Sequence, residues 1–275
     1  LESIQEQGQK NGVNDLEFFE GRQLAKMEPC LDAVAALFSP STGVINTHRF
    51  MAQLQWITLK KGGLIAYRHE AIRLEHKGNK FHVYCKGPDN KTEMISCSWL
   101  INCAGLSADR IAKGLGIDID EANYRIYFCK GEYFSVSQSK ANLISHLIYP
   151  LPPGDLEGLG IHATKTLDGR LRLGPNVYYV DSVDYEVDSK HATEFFDSAR
   201  TYLPFLEFAD LQPEMAGIRP KLQAPGAPFR DFVICHETER GFRGLINLIG
   251  IESPGLTSAL SLAVMVADLI GEAGI

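Results

Sequence analysis

Two stretches near the C-terminal end gather side chains able to do chemistry. At 217–221 the sequence reads Gly-Ile-Arg-Pro-Lys, so Arg219 and Lys221 place two cations on either side of Pro220. An arginine grips a carboxylate through two parallel hydrogen bonds, so the pair is expected to clamp a small acid; two solvated surface cations are the competing reading. At 250–257, Gly-Ile-Glu-Ser-Pro-Gly-Leu-Thr is a glycine-bracketed turn running into an apolar helix. Ser253 and Pro254 suit a helix start, and Gly255 lets the backbone approach a ligand with no side chain between. The free N–H groups of that start would face a bulky anionic or electron-rich ligand, although an ordinary strand–helix turn reads the same way. His162, in the apolar stretch 159–163, offers either a proton acceptor or a hydrogen-bonded core histidine. His48 and His236 are further candidates, at a helix start and a strand end.

The elements that must position these residues follow from periodicity. A helix is expected within 16–31, stopped by Pro29, and a second one capped by Asn46 or Thr47 and running to Lys60. From 64 to 99 the period shifts to two, predicting short antiparallel strands at 64–67, 71–74, 81–85 and 94–97. The run 100–103 is short and apolar, followed by Ala104, Gly105 and a helix at 107–115. Strand, tight glycine turn and helix make the layout of a nucleotide-binding layer. Strands are expected again at 124–136, 147–151 and 170–173, with a turn at Gly174, Pro175 and Asn176. A helix at 192–202 comes next, then strands at 232–235 and 245–249, and a buried terminal helix at 256–270, shorter than the ~20 residues a membrane span needs. The opening residues read like the tail of a helix. The absence of a linker suggests interleaved domains.

The 275 residues can bury a full core, and 45% hydrophobic with 22% charged residues is ordinary for a globular chain. A net charge of −7 with scattered basic residues argues against a nucleic-acid surface. Six cysteines without a C-x-x-C pair predict reduced thiols and no metal site. Hydrolase and nucleotide-triphosphatase readings lose their support without G-x-S-x-G, Walker or H-E-x-x-H motifs. The proline-rich stretch 149–153 is expected to be a turn or a point of peripheral membrane contact.

Taken together, the run 217–223, the segments 228–234 and 244–257, and upstream stretches at 37–45, 101–110, 129–134, 159–162 and 173–176 resemble the L-2-hydroxyglutarate oxidase/dehydrogenase family. That family lies within the FAD-dependent D-amino-acid-oxidase-like superfamily. The resemblance implies an α/β fold with α+β elements: an FAD-binding Rossmann-like layer, N-terminally incomplete, at 46–120 and 210–275. It would interleave with an antiparallel-sheet substrate domain at 14–45 and 121–209. Cys103, Ala104 and Gly105 would approach the ADP part of FAD, with Ala71 and Ile72 near the adenine. Gly250, Ile251, Glu252, Ser253, Pro254, Gly255, Leu256 and Thr257 would wrap the flavin. Arg219 would hold the substrate's α-carboxylate, Lys221 the distal one, and His162 would take the hydroxyl proton.

The implied partners are a small dicarboxylic hydroxy acid and an electron acceptor, oxygen or a quinone. The implied location is cytoplasmic, peripheral at the inner membrane, or mitochondrial in a eukaryote. The superfamily's opening strand–G-x-G-x-x-G–helix unit has no counterpart here, so the sequence is expected to be an incomplete record of a normal enzyme. Alternatives are an oxidoreductase of an amino acid or glycerol 3-phosphate, and a cofactor-less remnant serving as a binding module.

Overall fold

The computed structural model describes residues 1–151 and 160–272. In chain order the elements are α1 (Glu2–Lys10), β1 (Glu17–Glu20), α2 (Gly21–Met27), β2 (Ala35–Phe38), α3 (Thr47–Lys60), β3 (Glu70–Lys77), β4 (Lys80–Lys86), β5 (Thr92–Cys97) and β6 (Leu100–Asn102). There follow α4 (Ala108–Gly114), β7 (Tyr127–Val136), β8 (Ala163–Lys165), β9 (Leu171–Leu173), β10 (Tyr178–Val180), α5 (Ala192–Ala199), β11 (Leu211–Lys221), β12 (Val233–His236), β13 (Leu245–Ile249) and α6 (Gly255–Glu272). These form two compact units. The first comprises Leu1–Lys61, Gly131–Tyr178 and Tyr185–Gly217; the second comprises Gly62–Lys130, Tyr179–Asp184 and Ile218–Ile275. Interleaving was expected, but the boundaries differ: α3 belongs to the first unit, whereas 46–60 had been grouped with the second.

In the first unit, β9 pairs antiparallel with β7 (Phe134 opposite Leu173) and with β8 (Ala163 opposite Leu173). Phe134, Ile144, Leu171, Leu173, Phe195 and Leu203 fill its core, with α5 laying Phe195 and Ala199 onto the sheet. Asn46 caps α3 as expected, its side chain accepting from the Arg49 N–H at 2.9 Å. The expected helix within 16–31 is corrected to strand β1 followed by the shorter α2. Phe18 and Phe19 enter a ladder with Leu37 and Ala36 of β2, and that non-local pairing overrides local helix preference. The expected strand at 147–151 reduces to one bridge between Ile148 and Ala163.

A buried carboxylate organises the turn after β9. Glu132 of β7 is 0% exposed. It accepts from the Tyr178 hydroxyl at 2.8 Å, the Asp188 N–H at 3.0 Å and the His191 ring at 2.5 Å. The Asn176 side-chain Oδ1 in turn accepts the Glu132 N–H at 2.8 Å. Burial alone would push the Glu132 carboxyl up, but these donors outweigh it and hold it below the ordinary value. A depressed carboxylate contributes stability above the unfolded-state pKa of about 4.3 and loses it as pH falls through the folded value. Urea midpoints are therefore expected to drop as pH falls below about 4, and Glu132→Gln to flatten that acid limb. An acid limb of unchanged steepness in the variant refutes this.

In the second unit, β3, β4 and β5 form an antiparallel meander, and β12-β13-β6 a separate three-stranded sheet. The expected strand at 64–67 is not one: the stretch has no ladder partner among the described residues, and Leu64 is 94% exposed. The meander begins only at Glu70, with a bulge between Ala71 and Arg73. Strand β13 runs parallel to β6, with Leu245 opposite Leu100 and Asn247 opposite Asn102, and antiparallel to β12. All of β13 is buried, as suits a strand covered on both faces. Phe81, Ala108, Ala112, Leu222, Leu245 and Ile249 pack together as this unit's core.

Candidate functional site

In the second unit, β6, the end of β13 and one face of α6 border an apolar cavity of about 480 Å³ that opens to solvent. Its wall includes Ile101, Cys103 and Gly105 from β6 and its turn, Leu248 and Ile251 from β13 and its turn, and Gly255 and Leu262 from α6. The cavity lies within the size range of small-molecule and cofactor sites. It also sits beyond the carboxyl ends of two parallel strands, where open α/β sheets bind their ligands. The sequence thus brings two separately read turns to one place.

Gly105, at φ +55°, presents bare backbone, with nothing within 4 Å of where a side chain would begin. Gly250, at φ +71°, turns the chain out of β13 against Leu222. A Cβ at Gly255 would strike Ile251 Cγ2 at 2.5 Å, so the first turn of α6 and the preceding loop close tightly. Pro254 was expected inside the helix start. Instead it precedes it: the Ser253–Pro254 bond is cis, and α6 begins at Gly255. The Pro254 carbonyl still accepts the Ser258 N–H at 3.0 Å. Ser253, Pro254, Leu256 and Thr257 are exposed and do not line the cavity. Ala104 is exposed and donates its N–H to Asn102 Oδ1 at 3.2 Å. Ile72 sits at the β3 bulge, 50% exposed and away from the cavity wall. The terminal helix is corrected in extent and burial: α6 has 18 residues, of which Gly255 and Leu262 are buried, while Leu256, Leu260, Val264 and Met265 are exposed.

Arg219 and Lys221 differ. Lys221 makes an ion pair of 3.0 Å with Glu252, the two side chains being 10% and 9% exposed. The pair ties the end of β11 to the turn before α6. Arg219 is half-buried and, among the described residues, has no hydrogen-bond or ion-pair partner. The other half-buried arginines are occupied. Arg172 binds Glu214 through two nitrogens at 2.7 and 2.6 Å, and Arg230 donates to the Asn123 and Leu222 carbonyls at 3.0 and 3.2 Å. A partly desolvated guanidinium without a counter-ion is suited to receive one.

His162, in the first unit, is 7% exposed and stacks on Tyr149 with ring centroids 4.2 Å apart. Its Nδ1 lies 3.2 Å from the Gly160 carbonyl. A carbonyl only accepts, so this contact puts a proton on Nδ1. The His162 carbonyl accepts the Gly174 N–H at 2.9 Å, joining it to the turn held by Glu132. Pro152 and Pro153 of the proposed membrane-contact loop, and Leu159, lie outside the described residues. His48 is exposed in the first turn of α3, and His236 accepts the Gly244 N–H at 3.1 Å. No cluster of three or more metal-binding side chains occurs among the described residues.

Sequence reading missed the buried polar residues behind the cavity. Glu237 is 0% exposed and takes donors from Tyr124 and Asn247, while Asn102 lies buried beneath Cys103. Glu132 was passed over too. Charged residues inside a largely apolar strand-like run, as Lys130 and Glu132 are in 127–136, were the available signal.

Residues 1–269 match the family model described as FAD dependent oxidoreductase, and the chain belongs to that family. The L-2-hydroxyglutarate dehydrogenase, mitochondrial, of Arabidopsis thaliana is 33% identical over 312 residues, covering 98% of this chain and 62% of the relative. The L-2-hydroxyglutarate dehydrogenase of Escherichia coli strain K12 is 26% identical, covering 98% of this chain and 69% of the relative. The chain thus spans about two thirds of the length of these relatives. Among solved structures, the dithionite-reduced L-alpha-glycerophosphate oxidase of Mycoplasma pneumoniae, with FAD bound, superposes with a TM-score of 0.78. It is 20% identical, and the match covers 95% of this chain and 66% of that one, a likeness of fold.

Proposed function

We propose that the chain carries the core of an FAD-dependent enzyme oxidising L-2-hydroxyglutarate to 2-oxoglutarate. The observation behind the acid substrate is Arg219, half-buried with no partner among the described residues. The relatives named L-2-hydroxyglutarate dehydrogenase support the choice of acid. The cavity walled by Cys103, Gly105, Ile251 and Gly255 fits part of a large, mostly flat cofactor: apolar walls, bare glycine backbone and a helix N-terminus at its edge. When bound, FAD supplies the acceptor for the hydride leaving the substrate's C2.

The chain's own residues bind and orient. Arg219 holds the α-carboxylate in a bidentate grip and so positions C2. Lys221 was expected to clamp the distal carboxylate. With Glu252 already on its ammonium, it serves instead as a strut that holds the turn 250–254 against β11. His162 is the proposed acceptor of the hydroxyl proton. A cytoplasmic location, or a mitochondrial one in a eukaryote, goes with this reading.

The chain loaded with FAD is expected to be yellow. Anaerobic L-2-hydroxyglutarate should bleach it; the D isomer and glycerol 3-phosphate should not. Bleaching by glycerol 3-phosphate alone, or by none of the three, would sink the substrate assignment.

A second readout needs no turnover. Cys103 is the exposed cysteine and lies in the cavity wall. FAD at ten times its Kd is expected to slow alkylation of Cys103 about tenfold by simple occupancy, leaving the half-buried Cys30 unaffected. Equal labelling of Cys103 with and without FAD places the cofactor elsewhere.

A further inference from the structure

A chain of buried polar groups runs behind the cavity and ends on the turn at its wall. Glu237 Oε1 accepts from the Tyr124 hydroxyl at 2.7 Å and from Asn247 Nδ2 at 2.8 Å, and its Oε2 accepts from Arg240 Nη1 at 2.8 Å. Asn247 Oδ1 accepts from Asn102 Nδ2 at 2.8 Å, and the same nitrogen reaches the Ala108 carbonyl at 2.8 Å. Asn102 Oδ1 then accepts the Ala104 N–H at 3.2 Å. Glu237, Asn247 and Asn102 are at most 3% exposed.

This chain has a direction. A carboxylate accepts on both oxygens, so Asn247 must turn its NH₂ toward Glu237 and its oxygen toward Asn102. Asn102 must then turn its NH₂ toward Asn247 and its oxygen toward the Ala104 N–H. Tyr124 keeps its proton, since burial and the bond to Glu237 push its phenol well above the ordinary range; its hydroxyl therefore donates to Glu237, while its oxygen accepts from Arg240 Nη1 at 3.4 Å. Reversing either amide would set NH₂ against N–H, or oxygen against oxygen, in a buried site, where each unmet group is costly.

We propose that Glu237 is a positioning residue for the Cys103–Gly105 turn, setting the hydrogen-bond polarity of Asn247 and Asn102 and through them the backbone of Ala104. Glu237 does not line the cavity. It acts at the far end of a relay that leaves the Ala104 N–H satisfied and the bare backbone of Gly105 facing the cavity. The consequence for FAD affinity rests on the cofactor reading above; the relay itself does not.

The test is Glu237→Gln, followed by amide hydrogen exchange at Ala104 in the chain without FAD and by the FAD dissociation constant. An amide side chain has one acceptor oxygen, and Arg240 and the Asn247–Tyr124 pair compete for it. With Arg240 holding the oxygen, NH₂ faces Asn247, both asparagines lose their fixed direction, and Ala104 is released. Exchange at Ala104 and the dissociation constant are each expected to rise roughly tenfold. Adding Arg240→Leu to Glu237→Gln removes the competitor and should restore both, a rescue that loss of packing would not produce. Unchanged exchange in Glu237→Gln, or no recovery in the double variant, overturns the proposal.

If the variant does not fold, the unaltered chain decides. The side-chain amide protons of Asn102 and Asn247 must then be strongly protected, and exchange at the rate of an exposed asparagine overturns the relay. An unaltered chain that never binds FAD refutes the cofactor reading instead, and the exchange at Ala104 still judges the network.

Discussion

Arg219→Met is expected to lower kcat/KM for L-2-hydroxyglutarate about 10²–10³-fold in the FAD-loaded chain, while leaving FAD affinity unchanged. The magnitude follows from losing a charge-assisted, two-point grip worth about 3–4 kcal/mol on an anion that has left water. Arg219→Lys should recover only a small part, because an ammonium supplies the charge without the planar fork. The same substitution carries a prediction of opposite sign for stability. A half-buried guanidinium with no partner among the described residues costs desolvation that no ion pair offsets. Removing it should therefore leave the urea midpoint unchanged or raise it slightly, the exchange of stability for function met at binding sites. A stability loss above about 1 kcal/mol would make Arg219 a structural residue and undercut the acid clamp.

How far the site was legible in the sequence depends on the range of the interaction. Strand β13 and the turn after it were readable because five buried residues sit between glycines, and local composition sets that pattern. Helix α3 was readable because Asn46 carries its own capping oxygen. The stretch 64–67 is apolar like a strand but has no ladder partner among the described residues, and a strand exists only in a ladder. Strand β1 fails in the opposite sense: its helix-like surroundings yield to pairing with β2.

The buried networks were beyond reach altogether. Asn102 and Asn247 bond across 145 positions, and no local rule marks either as the other's partner. The same holds for Lys221 and Glu252, each read separately as facing a ligand, which meet each other at 3.0 Å. Sequence reading named residue types suited to a site. Which of them had already found a partner is settled by the fold, and that distinction separates Arg219 from Lys221.

The second large effect belongs to Gly250. Gly250→Val is expected to destabilise the chain by about 3–5 kcal/mol, a shift of roughly 6–20 °C in Tm for a chain of this size. Two costs combine. The residue sits at φ +71°, where a β-branched side chain is strained by about 1–2 kcal/mol or more. A Cβ there would also lie 2.5 Å from Leu222 Cγ and 2.9 Å from its Cδ1. Leu222 is 3% exposed in the core with Leu245 and Ile249, so it cannot swing aside.

The two costs separate in a double-mutant cycle with Leu222→Ala, which removes the colliding atoms but not the backbone strain. The double variant should be more stable than the sum of the singles by about 1–2 kcal/mol, and the residue left over measures the strain. Strict additivity would show that Leu222 is not the obstacle. Because this turn delivers Ile251 to the cavity wall and starts α6, FAD affinity should fall in Gly250→Val and stay low in the double variant. There the packing is relieved but the turn remains distorted. Recovery of FAD affinity together with stability would mean that the left-handed backbone at Gly250 serves only the packing of β13, and that the cofactor does not depend on it.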